Sequence, residues 1–348
     1  MPSPVAGSRN ISADQASYAG LVPGDILDGR FWLTERINHG GMATVFKAED
    51  IDRQRQPVVV KVPHAQYASG VGAWSRFERE AELGAILSHP GIVRFLPIQG
   101  SARGTYVVTE YLTGITLAER LAVVGRLPEA EALPLASQIT AALQYLHEKG
   151  IVHGDIKPGN IMLCADGSSR LIDFGMAQPV DKRRFHFGGS APAMGTKEYI
   201  APEQLQRQHG RPSADIYSLG ATLYQMLTGV VPFPDDDPFV LGSVRLTGDP
   251  VAPRKLQSAL SPTAEEIVLR AMRRDPAQRY PSAAAMQADL DAPARVRLSG
   301  LCDRLQPSTR WRRLLRQGQW IALYCLLPLA MQAALFFWIW WHYRPRHF

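Results

Sequence analysis

Cysteine is scarce: the 348 residues hold three, Cys164, Cys302 and Cys325. An odd number with neither close pairs nor metal-ligand spacing argues against a disulfide framework and fits a reducing compartment. Met1 is not followed by an apolar core, so a cleaved secretory leader is not expected. Residues 1–27 carry Pro2, Ser3, Pro4, Gly7, Ser8 and Ser12 with no clear apolar period, which reads as a flexible lead-in. One-signed charge is also lacking. Lys and Arg number 38 against 32 Asp and Glu, a net charge of +6. Much of the excess sits late, in Arg295, Arg297, Arg304, Arg310, Arg312, Arg313 and Arg316, directly before an apolar run. That placement suits a membrane surface better than a nucleic-acid groove, so no nucleic-acid partner is expected.

The apolar run, Trp320 to Trp341, contains no charged residue. As a helix rising 1.5 Å per residue it would span about 33 Å, enough for a bilayer core. Trp320, Tyr324, Trp338, Trp340 and Trp341 gather towards its ends, where amphipathic rings sit at lipid interfaces. The rival, a buried hairpin helix of a soluble domain, lacks following chain to cover it. Segment 293–319 is thus expected as a basic juxtamembrane stretch, 320–341 as one transmembrane helix and 342–348 as a short tail. Basic residues are far denser before Trp320 than after Trp341, where only Arg344 and Arg346 occur. The cell (inner) membrane is the expected location, with the main body cytoplasmic, Phe348 outside and membrane lipid as a partner.

Between these ends the pattern changes character. Phe31–Ile37, Thr44–Ala48 and Val58–Val62 are short β-rich stretches separated by turn signals, and Tyr106–Glu110 is another. A helix is expected over Ser75–Leu87. Beyond Gly114 helical patterns dominate, with Leu135, Ile139, Leu143 and Leu146 recurring at about one turn on the buried face of a long helix. The expected fold class is α+β, with a β-rich lobe over 28–112 and an α-helical lobe over 113–292.

Candidate chemistry appears at five places. Asn38-His39-Gly40-Gly41-Met42-Ala43-Thr44-Val45 lies between two expected strands, where a hairpin could fold its backbone N–H groups over phosphates; alone it reads as an ordinary hairpin turn. Lys61 places an ammonium on a strand of buried-type residues and needs an anionic partner, for which Glu80 on the following helix is the candidate. Without context either residue reads as a solvated surface charge. Third comes His153-Gly154-Asp155-Ile156-Lys157-Pro158-Gly159-Asn160. Asp173-Phe174-Gly175 and Ala201-Pro202-Glu203 follow.

In that order the motifs resemble the eukaryotic-like (Hanks-type) serine/threonine protein kinases of bacteria, over about Phe31 to Leu290. The resemblance implies a bilobal fold and transfer of the γ-phosphoryl group of ATP to protein hydroxyls, with autophosphorylation. Asp155 is then the group that accepts or orients the substrate proton, and Lys157 stabilises the transferring phosphate. Asn160 and Asp173 hold Mg²⁺, with Mn²⁺ as an alternative. Lys61 and Glu80 position the α- and β-phosphates under the 38–45 loop. Glu110-Tyr111-Leu112 forms the hinge, Thr109 stands behind the adenine pocket, and the base lies between Val45 and Val59 above and Met162 below. Lys157 and Thr196 resemble the serine/threonine branch, with Thr196 in substrate alignment. Arg279 is expected to pair with Glu203.

The sequence departs from the family at three points. Asn38 and Ala43 replace the outer glycines of the phosphate loop, with Gly40 and Val45 retained. Gly154 stands where most relatives have an arginine that a phosphorylated loop neutralises. Ser190 and Thr196 are the only Ser or Thr hydroxyls between Asp173 and Glu203, hence its candidate phosphosites. With Gly154 at that position, control by membrane context or a regulatory partner is expected rather than by loop phosphorylation. Two rivals remain: a non-catalytic scaffold of the same fold, which the glycine departures favour and the full set of charged groups opposes, and a small-molecule kinase, which the Asp173–Glu203 segment opposes.

Overall fold

The computed structural model describes residues 10–11, 20–40, 43–64, 71–96, 98, 106–180, 198–206, 210–234, 245–305 and 332. Strands β1 (Asn10–Ile11), β2 (Ile26–Leu27), β3 (Phe31–His39), β4 (Ala43–Asp50), β5 (Gln56–Pro63) and β6 (Val107–Glu110) form one sheet in that order. Period-two alternation sets its faces. Phe31, Leu33, Phe46, Ala48, Val58, Val60 and Val62 turn inward and are almost fully buried, while Trp32, Val45, Lys47, Val59 and Lys61 between and beside them are partly exposed. Helix α1 (Val71–Ile86) lies against β6 and buries Leu83 and Glu80.

Residues 20–27 differ from the flexible lead-in expected for them. Leu21 and Leu27 are buried in the small-lobe core, and Ile26–Leu27 pair with both Asn10–Ile11 and β3. Pro23, Gly24 and Asp25 break the stretch into two apolar pairs and hid this, because a two-residue strand has no readable period.

The larger lobe is helical: α2 (Leu117–Val124), α3 (Glu129–Glu148), α4 (Pro202–Leu205), α5 (Pro212–Thr228), α6 (Pro253–Leu256), α7 (Pro262–Ala271), α8 (Ala283–Asp291) and α9 (Leu301–Arg304). Leu135, Ile139, Leu143 and Leu146 line the buried side of α3 as their spacing predicts. Helix α5 is buried on nearly every side and forms the lobe's axis. Helix α2 opens with a capping box in which Glu119 N–H donates to Thr116 Oγ1 at 3.1 Å and Thr116 N–H donates to Glu119 Oε2 at 2.6 Å. Two small sheets complete the lobe, one of β7 (Gly114–Thr116), β9 (Ile161–Cys164) and β10 (Ser169–Leu171), the other of β8 (Ile151–Val152) and β11 (Gln178–Pro179).

Packing continues past residue 292. Val296 rests on the large-lobe core, and Ser299 Oγ donates to Glu266 Oε1 at 2.5 Å. Among the described residues no helix is long and apolar enough to cross a membrane. The expected span 320–341 lies outside them apart from Gln332.

Candidate active site

Alternation along β5 sends Val58, Val60 and Val62 into the small-lobe core and leaves Val59 and Lys61 on the other face, towards the cleft between lobes. There Lys61 Nζ donates to Glu80 Oε2 at 2.8 Å, Glu80 Oε1 at 3.1 Å and Asp173 Oδ1 at 2.9 Å. The strand, helix α1 and the loop after β10 are thus tied by one ammonium. Burial works against the Lys61 charge, but the Glu80 and Asp173 carboxylates outweigh it and hold its pKa above the ordinary lysine value. Burial likewise pushes the Asp173 carboxyl up, and Lys61 more than offsets this, so Asp173 stays well below the usual range. Glu80 goes the other way. Its burial, reinforced by the Asp173 charge, leaves it raised despite Lys61.

Phe174 anchors the loop that carries Asp173. Its ring is buried against Phe95 and His153, with centroids 5.7 Å and 5.0 Å away, and Gly175 N–H donates to Asp173 Oδ1 at 3.0 Å. Phe174 N–H also points to Glu80 Oε1 at 3.4 Å.

Asp155 lies on the loop between β8 and the 3₁₀ turn Pro158–Asn160. Asn160 Nδ2 donates to Asp155 O at 2.8 Å and Oδ2 at 3.0 Å, and Lys157 Nζ sits 2.8 Å from Asp155 Oδ2. Asp215, which belongs to none of the motifs above, is the brace of this loop. Its carboxylate, buried in α5, accepts from His153 N–H at 2.9 Å and Gly154 N–H at 2.8 Å, with His147 Nε2 at 2.9 Å. An acidic residue in an otherwise buried helix was the available signal. Burial lowers the His153 pKa, and its Nδ1 accepts from Asp155 N–H at 3.3 Å.

Gly154 has φ of +79°, and a Cβ there would stand 2.9 Å from Met176 O. Its lack of a side chain therefore suits the loop sterically.

Hard oxygens remain for a cation. Asp173 Oδ2 and Asn160 Oδ1 have no hydrogen-bond partner among the described residues, and the Asp173 side chain is 41% exposed. Glu80, Asp155 and Asp173 outweigh Lys61 and Lys157 in charge. These residues fit Mg²⁺, which takes one or two protein oxygens together with substrate phosphates and water. A larger cage is not seen: among the described residues no group of three His, Cys, Asp or Glu could hold a metal.

Val45, Val59 and Met162 are half-buried, and the β5–β6 register sets Val59 opposite Thr109. Glu110 is engaged through its carboxylate by Arg170 Nη1 at 2.8 Å and by Arg94 N–H at 2.9 Å, which leaves backbone as its offering to a base. Leu112 packs on the large-lobe core, and Lys47 lies over the Tyr111 ring at 4.4 Å. Of the phosphate loop, Asn38 and His39 end β3, Gly40 N–H donates to Ala43 O at 3.0 Å, and Thr44 Oγ1 bridges His39 Nδ1 at 2.9 Å and His64 Nε2 at 3.0 Å. Gly41, Met42, Ser190 and Thr196 lie outside the described residues. Farther down, Arg279 and Glu203 form the expected pair, Nη1 to Oε1 at 2.6 Å and Nη2 to Oε2 at 2.7 Å, fully buried.

Residues 31–290 match the protein kinase domain family. Serine/threonine-protein kinase PknB of Mycobacterium tuberculosis is 35% identical over 269 residues, covering 76% of this chain and 43% of the relative. A probable serine/threonine-protein kinase of Streptomyces coelicolor is 36% identical over 270 residues, covering 76% and 40%. One of Clostridium perfringens is 32% identical over 268 residues, covering 77% and 39%. The matched region is thus less than half the length of these curated relatives. The family match over most of the chain and these identities agree with the assembled Lys61–Glu80–Asp173 and Asp155–Asn160 groups: the chain belongs to the protein kinase family, in its bacterial Hanks-type serine/threonine branch.

Proposed function

We propose that this chain is a membrane-held serine/threonine kinase that moves the γ-phosphoryl group of ATP to hydroxyls of other proteins and of itself. One observation carries the reading: Lys61 bridges Glu80 and Asp173 while Asn160 and Lys157 hold Asp155 in the same cleft. A scaffold that only bound partners would have no use for every one of these charges in register. In phosphoryl transfer the acceptor oxygen bonds to the γ-phosphorus, the bond to the β–γ bridging oxygen breaks, and ADP leaves. Asp155 takes or orients the hydroxyl proton, and Lys157 faces the moving phosphoryl charge. Lys61, fixed by Glu80, grips the α- and β-phosphates. When bound at Asp173 and Asn160, Mg²⁺ or Mn²⁺ neutralises phosphate charge.

Serine/threonine specificity is supported by the names of the relatives and by Lys157 and Thr196. Membrane attachment is supported by the uncharged run Trp320–Trp341 and the arginines before it. Protein substrates, lipid and a membrane or cytoplasmic regulator are the partners in this account. Incubation of the purified chain with labelled ATP, Mg²⁺ and a generic protein acceptor tests it. Label on Ser or Thr in the wild type and none with Asp173→Asn is expected; equal labelling in the two would overturn the assignment.

A further inference from the structure

The chain that follows α8 is built onto the large lobe and has an inner and an outer side. A 3₁₀ turn, Pro293–Arg295, is closed by Val296 N–H donating to Pro293 O at 3.1 Å, and Gly300, at φ of +70°, leads into α9, which lies on α7. Val296 is the inner residue, packed on the large-lobe core; Arg295, Arg297 and Leu298 around it are exposed, Leu298 by 58%. The segment also covers the two carboxylates of α7. Glu266 Oε1 accepts from Ser299 Oγ at 2.5 Å, and Glu265, beside Cys302, accepts from Arg254 N–H at 2.8 Å, so both acids are buried and engaged.

What is left outside is basic. Arg304 Nη2 folds back on Ser299 O at 2.6 Å, but among the described residues no carboxylate pairs with Arg295 or Arg297. Between residues 293 and 319 there are seven arginines and one acid, Asp303. Two unpaired guanidinium groups beside an exposed leucine have the chemistry of an interfacial contact, with arginine on headgroup phosphate and the alkyl chain at the acyl boundary. The uncharged run begins at Trp320, fifteen residues after Leu305, so the intervening chain reaches at most about 50 Å and keeps this face near any bilayer the run enters. An acidic protein or a nucleic acid would meet the same arginines, but neither is held next to them by the chain itself.

Building on the membrane-held reading above, we propose that residues 293–304 are a fixed membrane-contact face of the kinase. Arg295 and Arg297 bind the headgroups of anionic phospholipids and Leu298 enters the interface, while Val296, Ser299 and α9 keep the large lobe turned towards the bilayer.

The test places a photoreactive diazirine amino acid at residue 298 of the full chain, reconstituted in vesicles of phosphatidylcholine alone or of phosphatidylcholine and phosphatidylglycerol in equal parts. Adducts are mapped by mass spectrometry. Lipid adducts at 298 are expected in the mixed vesicles, with roughly fivefold fewer in the neutral ones and in the double variant Arg295→Gln/Arg297→Gln, at equal incorporation of the chain. The same probe at Ile86, also 58% exposed but on the small lobe, should give few. Adducts to protein only, no lipid adduct at 298, a yield indifferent to lipid charge and to the two arginines, or equal yields at 298 and 86 would overturn this inference while the chain stays with the vesicles. A chain that never enters the vesicles would overturn the membrane reading, and this face with it.

Discussion

Replacing Lys61 by methionine removes the one cation that Glu80 and Asp173 share. The two carboxylates are each within 2.9 Å of Lys61 Nζ, so their nearest oxygens lie no more than about 5.7 Å apart. At an effective dielectric of about 20, two unit charges at that separation repel by about 3 kcal/mol. Phosphotransfer should vanish, because the phosphate grip is gone. Stability should fall as well, and with a particular pH dependence. The Glu80 pKa is already raised by burial and by Asp173, and without Lys61 the opposing influence disappears. A carboxyl whose folded-state pKa lies above its unfolded value favours folding at low pH and loses that contribution as pH rises through the folded value. The penalty of Lys61→Met should therefore be small near pH 5 and full by about pH 8, where about 3 kcal/mol corresponds to a Tm lower by roughly 6–12 °C. Adding Glu80→Gln should restore at least half of the loss at pH 8. Thermal denaturation of the three proteins across pH reads this directly. A penalty that does not change with pH, or a double variant no more stable than the single one, would refute the electrostatic account of the site.

Arg279→Met leaves Glu203 buried without its bidentate partner. A cost of about 3–5 kcal/mol is expected, with Tm falling by at least about 6 °C in a thermal melt; a smaller loss would mean the pair is not what holds the base of the large lobe. Full-length chain should fractionate with membranes and a truncation ending near Gln306 should be soluble and active, with reporter fusions placing Phe348 outside; recovery of the intact chain in the soluble fraction contradicts the anchoring proposal. Phosphatase treatment should leave the initial rate on an exogenous acceptor within about tenfold, because Gly154 supplies no cation for a loop phosphate. A larger loss, repeated in Ser190→Ala, contradicts it.

The charged groups were legible because each breaks the local pattern. Lys61 interrupts a run of valines, and Asp155, Asn160 and Asp173 sit in motifs whose order along the chain is specific, so the structure needed only to bring them together. The strands around them were placed to within a few residues, since alternation is a strong signal over five residues or more. Contacts that depend on chain segments far apart were not legible. Asp215 shows as an acid in a buried helix, but that it accepts from the backbone of residues 153 and 154 follows only from how α5 lies beneath the loop. Leu21 and Leu27 were missed for another reason: two apolar pairs, Leu21-Val22 and Ile26-Leu27, broken by Pro23, Gly24 and Asp25, carry no period.

The central claim, that Asp155 acts on the acceptor hydroxyl within an ATP-binding kinase site, meets its most direct test in Asp155→Asn. Turnover on a protein acceptor and nucleotide affinity should be measured on the same preparation, with the phosphorylated residues mapped. The account predicts phosphate on Ser and Thr in the wild type, a fall in kcat on the order of 10² or more in the variant, and nearly unchanged ATP affinity. An undiminished kcat would contradict it.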